Sequence, residues 1–429
     1  MDSTSLPTRQ AGTFDESFAD GGVFLLNTQE AGLNRIMGVM ATSSHLYFCG
    51  SSTLNPLNSR YLLGRMWPDG SLDDTFGANG IVRASFGGTQ ESTGRSIAIC
   101  SDGKLLLTGS VAYRSPALAR YYPDGRLDRS FGTTGHVILP LPEEIDEQVA
   151  LDIQGESQDS ACTVTPLADG KILVVRNYVI THEADTRAFV FLLNSDGSLD
   201  TTFNQKGYVQ VLYPGATPAD VGLASGSTDS NGRIMVCGRL MLSDESTYTP
   251  LLARYTRDGR LDTSFGEKGF VVYSDAPRLK AGLVAVIGQP NNRLLGIGIT
   301  EDGEQGVLVS LEPDGSANIQ FNRGKPLLTR LDNTTTRWKG GVMQADGKIV
   351  LAGQIKHPDQ RSEAVVVRLL SDGLLDSTFN NIGWTSTPVN EAPLTHAVVL
   401  QADGKIVVAG ETGTTRNTQG FLLRFHASN

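Results

Sequence analysis

Short apolar runs, each closed by a polar turn, recur along the whole chain. The clearest unit is an apolar run, a tight turn and a second apolar run ending mostly in glycine: SIAICSDGKLLLTG (96–109), CTVTPLADGKILVVR (162–176), GSTDSNGRIMVCG (226–238), VIGQPNNRLLGIG (286–298), VMQADGKIVLAG (342–353) and VVLQADGKIVVAG (398–410). A reduced copy is VMATSSHLYFCG (39–50). Two short strands joined by Asp-Gly or Asn-Gly are the strongest local signal for a β-hairpin, because a type I′ turn needs positive φ at both central residues. A third apolar run follows each hairpin, as in LLGRMWP, LARYYP and VVRLLS, and leads into another Asp-Gly.

Between these hairpins runs a second phrase, PDGSLDDTFGANGIV (68–82), PDGRLDRSFGTTGHV (123–137), SDGSLDTTFNQKGYV (195–209), RDGRLDTSFGEKGFV (257–271) and SDGLLDSTFNNIGWT (371–385). A degraded copy reads PDGSANIQFNRGKPL (313–327), and a truncated one, TFDESFADGGVF (13–24), stands near the start. Their phenylalanines are Phe18, Phe76, Phe131, Phe203, Phe265, Phe321 and Phe379, spaced by 55 to 72 residues. A fixed period of about four strands predicts an all-β, seven-bladed β-propeller with four-stranded antiparallel blades. Because the chain ends where a phrase would begin and starts where one would continue, the N-terminal segment is expected to complete the C-terminal blade and close the ring. The expected layout is a tail over 1–12 and a single propeller domain over 13–429, with the strand after each LDxTF phrase innermost.

The LDxTFGxxG phrase alternating with DGKIVVAG resembles the bacterial delta-60 repeat family of β-propeller-like proteins, over about residues 13 to 429. That resemblance implies a propeller fold and no common activity. The degraded copy departs from it, with Asn318 for Asp and Lys325 for Gly.

Composition agrees with this picture. Glycine is the outlier, at 48 of 429 residues, and charged residues make up only 19%, which disfavours long helices and disorder. No apolar stretch is long enough for a membrane span, and the start has neither a basic nor an apolar leader region, so the default expectation is a cytoplasmic protein, with leaderless export as the other route. The net charge of −10 argues against nucleic acid as a partner. Seven of the acids lie between Leu139 and Ser160, so the rest of the chain carries only −3. The cysteines Cys49, Cys100, Cys162 and Cys237 show no CxxC spacing and read as core thiols rather than a metal site.

Residues that recur in every copy read as architecture. The phenylalanines suit an apolar plug between neighbouring blades. The aspartates of LDxTF (Asp15, Asp73, Asp128, Asp200, Asp262, Asp376) suit side chains that accept a bond from the backbone two residues on. No calcium loop follows from them, and neither metal nor cofactor is expected. Arg65, Arg120, Arg254, Arg368 and Arg424 share one register, with Leu192 and Ser310 in the other two copies, and are expected to pair with those aspartates. After the hairpin turns stand His45, Lys104, Lys171, Arg233, Arg293, Lys348 and Lys405, read as a rim balanced by the turn acids.

Function is then expected on the face whose loops differ from copy to copy. Candidate binding residues there are Tyr113, Tyr178 with His182, Tyr248, Arg337 and Trp338 in the loop run Arg337-Trp338-Lys339, and Glu143 and Glu144 in the acidic insertion 139–161. Tyr, Trp and Arg dominate interface energetics, and aromatic rings also stack on sugars. The reading is a monomeric, non-enzymatic binding propeller that recognises a protein partner. A carbohydrate-binding propeller, and a propeller hydrolase or lyase with carboxylates at the axial mouth, are the alternatives. The six histidines share no register, and no HExxH or GxSxG is present.

Overall fold

In the computed structural model, the described residues are 10–26, 32–55, 58–88, 91–111, 115–145, 162–180, 185–216, 221–241, 247–273, 278–414 and 417–428. They form β-strands with a few single-turn 3₁₀ segments, and no helix is long and apolar enough to cross a membrane. Five four-stranded antiparallel sheets span 92–138, 162–210, 221–272, 281–329 and 335–387. The expectation of seven separate blades is therefore corrected. The remaining strands join in one eight-stranded sheet, because Leu33 and Asn34 pair in parallel with Thr418 and Gln419. The cause is local. The strand Val23–Leu25 covers only Phe421 to Leu423 of the long strand Asn417–Phe425, and the next strand, Leu33–Ala41, takes up the open edge beside it.

The order of strands is a second correction. In each four-stranded sheet the run before the DGK-type turn comes first, and the short strand after the LDxTF phrase is last. The first strands, Leu33–Ala41, Ser92–Ile99, Cys162–Pro166, Val221–Thr228, Ala281–Gly288, Thr335–Met343 and Leu394–Leu400, touch one another in sequence, and Leu394–Leu400 touches Leu33–Ala41. They surround the axis, so the strand following each phenylalanine is outermost. Alternation of strand direction keeps both kinds of Asp-Gly turn on one face and the irregular loops on the other.

The innermost strands carry a recurrent β-bulge. Met37, Arg95, Ala224, Val284, Lys339 and His396 are each an extra residue between two paired neighbours. Opposite the bulge lie Gly50, Gly109, Gly238, Gly298, Gly353 and Gly410, where a Cβ would overlap a carbonyl of the bulged strand, for example that of Arg337 at Gly353. This close approach explains the glycine that ends most hairpins in the sequence.

The recurrent phenylalanines are buried between sheets, each at most 1% exposed. Most of them pack on the turn glycine of the next copy, as Phe18 does on Gly70 and Phe131 on Gly197. Gly12 takes that place against Phe379, and Ala11 accepts a hydrogen bond from Asn380 N at 2.7 Å. The aspartates behave as expected: Asp73 Oδ1 accepts from Thr75 N (3.1 Å) and Thr75 Oγ1 (2.7 Å), with the same pattern at Asp15, Asp128, Asp200, Asp262 and Asp376. The arginines of the third run pair with them, as in Arg120 Nε to Asp128 Oδ2 and Arg368 Nε to Asp376 Oδ2, both 2.7 Å. Each of these guanidiniums lies over the phenylalanine of its own copy at 4.5 to 5.0 Å from the ring centre. Each also donates to a backbone carbonyl in the next copy: Arg65 to Pro123, Arg120 to Ser195, Arg254 to Pro313, Arg368 to Ala427 and Arg424 to Pro68. One side chain thus ties three elements across a sheet boundary.

Candidate functional site

The irregular face holds a cleft of about 300 Å³ between the sheets of 221–272 and 281–329, reaching the first strand of the sheet of 335–387. Its origin is a register effect. The position two before the bulged residue is Arg35, Thr93, Arg337 or Leu394 in four of the first strands, but Gly222 and Gly282 in the two that floor the cleft. Arg239, on the second strand Ile234–Met241, lies across both glycines, its side chain 3.3 to 3.5 Å from where their Cβ atoms would be. Its guanidinium stacks on the Tyr248 ring at 4.3 Å, a cation–π contact that holds both groups in place. Glu301 accepts from the Tyr248 N–H at 3.3 Å.

The bulged Lys339 lines the same cleft, and among the described residues no carboxylate pairs with its ammonium. Burial pushes its pKa below the ordinary lysine value, and the positive charge of Arg337 acts in the same direction. A half-buried cation without a counter-ion is unfavourable in the free protein and is relieved by an anion entering the cleft. Asn177 fixes the far wall by two bonds to the backbone of Leu223, donating from Nδ2 to its carbonyl (2.6 Å) and accepting from its N–H (2.9 Å).

The structure separates the residues that sequence reasoning grouped. Tyr248 lines the cleft. Trp338 is fully buried and donates from Nε1 to Thr329 Oγ1 at 2.7 Å, so its ring belongs to the core and offers no exposed platform. Arg337 and Trp338 sit in the innermost strand Thr335–Met343 rather than in a loop, and Arg337 Nε donates to the Gly303 carbonyl at 2.8 Å. Tyr178 is 1% exposed and packs edge-on against Phe189 at 5.6 Å. Glu143 and Glu144 are exposed but pair with Lys206 at 3.1 and 3.0 Å, drawing the start of the acidic insertion onto the sheet of 162–210. Tyr113 and His182 lie outside the described residues, as does 146–161 of the insertion. Lys339 enters the sequence reading only as a neighbour of Trp338, and Arg239 and the two glycines do not enter it. The available signal was the run Thr335-Thr336-Arg337-Trp338-Lys339, whose polar–apolar alternation marks a strand with Trp338 facing in and its neighbours facing out.

A second ionic cluster stands near the axis, where Glu411 meets Arg35 Nε at 2.9 Å and His396 Nε2 at 3.4 Å. Burial opposes the charge on Glu411, yet the hydrogen bond from His396 and the positive charges of His396 and Arg35 hold its pKa below the usual glutamate value. Among the described residues no three His, Cys, Asp or Glu side chains stand close enough to hold a metal ion.

Comparison with solved structures finds similarity at low identity. An ulvan lyase bound to a saccharide is 11% identical, with 77% of this chain and 80% of that one covered and a TM-score of 0.48. Drosophila Semaphorin 1a, extracellular domains 1-2, is 11% identical over 95% and 88% of the two chains, with a TM-score of 0.44. The β-propeller domain of the Trilobed protease from Pyrococcus furiosus is 9% identical over 94% and 97%, with a TM-score of 0.46. No curated protein matches the sequence. Five segments, 100–131, 167–203, 230–265, 344–379 and 401–428, match the family described as a domain of unknown function (DUF5122) beta-propeller, and the chain is thus a β-propeller of repeat type.

Proposed function

We propose that this chain is a non-enzymatic binding propeller of the delta-60 repeat kind, which recognises a protein partner through the face opposite its Asp-Gly turns. The observation that carries this reading is the Lys339 ammonium, which no carboxylate among the described residues pairs with, in a preformed cleft beside the Arg239–Tyr248 stack. Two cations and one half-exposed ring, with a single carboxylate, Glu301, held at the Tyr248 N–H, suit an acidic side chain of a partner flanked by an apolar residue. Sugar recognition is the weaker reading, because Trp338 and Tyr178 are buried in the core and the exposed part of Tyr248 is shared with Arg239.

The test is quantitative affinity capture from extracts of the source organism, using the wild type, Lys339→Met and Gly282→Leu, with a glycan array run in parallel. Gly282→Leu fills the floor of the cleft beside the Arg239 side chain without removing a charged group. The expected result is a protein captured by the wild type and reduced at least tenfold with either variant. Equal capture by all three forms overturns the site, and specific glycan binding with no protein captured overturns the choice of ligand.

A further inference from the structure

The opposite face carries a second cleft, of about 790 Å³, between the sheets of 162–210 and 221–272. Leu192, Leu167 and Ile234 line its apolar part, and its polar part includes Lys171, Thr202 and Arg257, the last paired with Asp169 at 2.9 Å. It lies at the one register where an arginine clamp has lost its arginine but kept the receptor. Leu192 pairs with Leu173 just as Arg120 pairs with Leu106 and Arg254 with Met235.

The other copies define what that receptor holds. In the sheet of 221–272, Arg254 gives Nε to Asp262 Oδ2 at 2.7 Å, Nη2 to Ser264 Oγ at 3.0 Å and Nη1 to the Pro313 carbonyl, over the Phe265 ring at 4.7 Å. Arg368 repeats the set with Asp376, Thr378, the Ala427 carbonyl and Phe379. In the sheet of 162–210 the counterparts Asp200, Thr202 and Phe203 are all present, and Thr202 is held on Asp200 Oδ1 at 2.7 Å as its counterparts are. The counterpart carbonyl belongs to Arg257, and among the described residues nothing donates to it. Lys171 reaches Asp200 Oδ2 at 2.5 Å. That contact does not exclude a guanidinium, since Asp128 takes Lys104 at 3.2 Å and Arg120 at 2.7 Å on the same oxygen.

We propose that this cleft is a receptor for an alkyl guanidinium supplied from outside the chain, an arginine side chain of a peptide or a small guanidino compound. The ligand would place its fork on Asp200 Oδ2, Thr202 Oγ1 and the Arg257 carbonyl, with its methylenes along Leu192. A carboxylate and two neutral acceptors, the set that surrounds Arg254 in the next copy, fit a guanidinium and leave an ammonium with unfilled positions. The site is independent of the cleft at Lys339.

The experiment is titration of the intact chain, by calorimetry and ligand-observed NMR, with three probes: the capped peptide acetyl-Gly-Arg-Gly-amide, its lysine counterpart, and free L-arginine. The expected result is saturable binding of the arginine peptide, at least tenfold weaker binding of the lysine peptide, and loss of binding in Leu192→Arg, which supplies the guanidinium internally. Binding of both arginine probes assigns the site to the guanidinium itself, and binding of the peptide alone assigns it to a protein arginine. Thr202→Val serves as a second variant should Leu192→Arg not fold, and is expected to weaken binding several-fold. No saturable binding, equal binding of the lysine peptide, or full retention in whichever variant folds overturns the proposal.

Discussion

Arg424, in the last strand, and Asp15, in the N-terminal segment, form an ion pair at 2.8 Å with both side chains no more than 3% exposed. Lys405 reaches the same carboxylate oxygen at 2.9 Å. Removing one partner of a buried pair costs about 3–5 kcal/mol, because the other charge is left without compensation. Asp15→Ala is therefore expected to lower the urea midpoint strongly, and deletion of residues 1–27 to lower it further, since Val23–Leu25 and its pairing with Asn417–Phe425 go with it. An unchanged midpoint in the deletion would show that the two chain ends are not structurally linked.

The same aspartates set the acid limit of stability. Burial works against the charge of Asp376, but hydrogen bonds from Thr378, the Arg368 guanidinium and Lys348 outweigh it and hold its pKa down at about 2. Asp15 and Asp128 are shifted in the same direction, each despite burial, by hydrogen bonds from Ser17 and Ser130 and by their basic partners. A carboxyl whose folded pKa lies below its unfolded value stabilises the fold above the unfolded pKa, near 4, and loses that contribution as pH falls through the folded one. Denaturant titrations at stepped pH should show a flat upper limb and a steep loss between about pH 4 and pH 2. Stability independent of pH in that window would contradict the pairing.

Two glycines on facing strands should respond in opposite ways. At Gly353 a Cβ overlaps the Arg337 carbonyl, whereas at Gly340 nothing stands within 4 Å. Gly353→Ala is expected to destabilise by about 2 kcal/mol or more through forced backbone movement. Gly340→Ala is expected to be neutral or to stabilise by up to about 1 kcal/mol, since it restricts only the unfolded chain. Thermal unfolding of the pair decides whether the bulge is as tight as described.

Trp338 fills the space left by Gly306, where a Cβ would overlap the indole. Trp338→Ala should cost about 3–5 kcal/mol as a large cavity. Trp338→Phe should cost less, about 1–3 kcal/mol, mainly from leaving the half-buried Thr329 hydroxyl without its donor. Chemical denaturation of both variants separates the packing and hydrogen-bond parts.

Sequence periodicity shows the hairpins, the phenylalanine plug and the Asp–Arg pairs, because each recurs and recurrence marks shared geometry. Strand order and sheet grouping are not visible there. Whether the strand after Phe131 is first or last depends on long-range contacts between Ser92–Ile99 and its neighbours. The joining of sheets at Leu33 and Thr418 depends on how short Val23–Leu25 happens to be. Trp338 misleads for a simple reason. Flanked by Arg337 and Lys339 it has the composition of an exposed loop, and only its alternation places it in the innermost strand. The clefts arise from absences at repeated positions, Gly222 and Gly282 on one face and Leu192 on the other, which become legible once the copies are set in structural register.

In the sheet of 281–329 the charged clamp is replaced by a neutral relay, Asn318 Nδ2 to Ser310 Oγ at 3.0 Å and Ser310 Oγ to Gln289 Oε1 at 2.8 Å. Arg293, which follows that turn, looks away from this trio to Glu312 at 2.9 Å. One exchange alone leaves the two arrangements mismatched here. Ser310→Arg alone would set a guanidinium beside an amide, and Asn318→Asp alone would bury a carboxylate beside a hydroxyl, each at a cost of several kcal/mol out of a total stability of about 5–15. Exchanging positions 310 and 318 together avoids both costs, and the neutrality of this copy is a joint property of a strand and the turn that follows it rather than a loss of pattern in one.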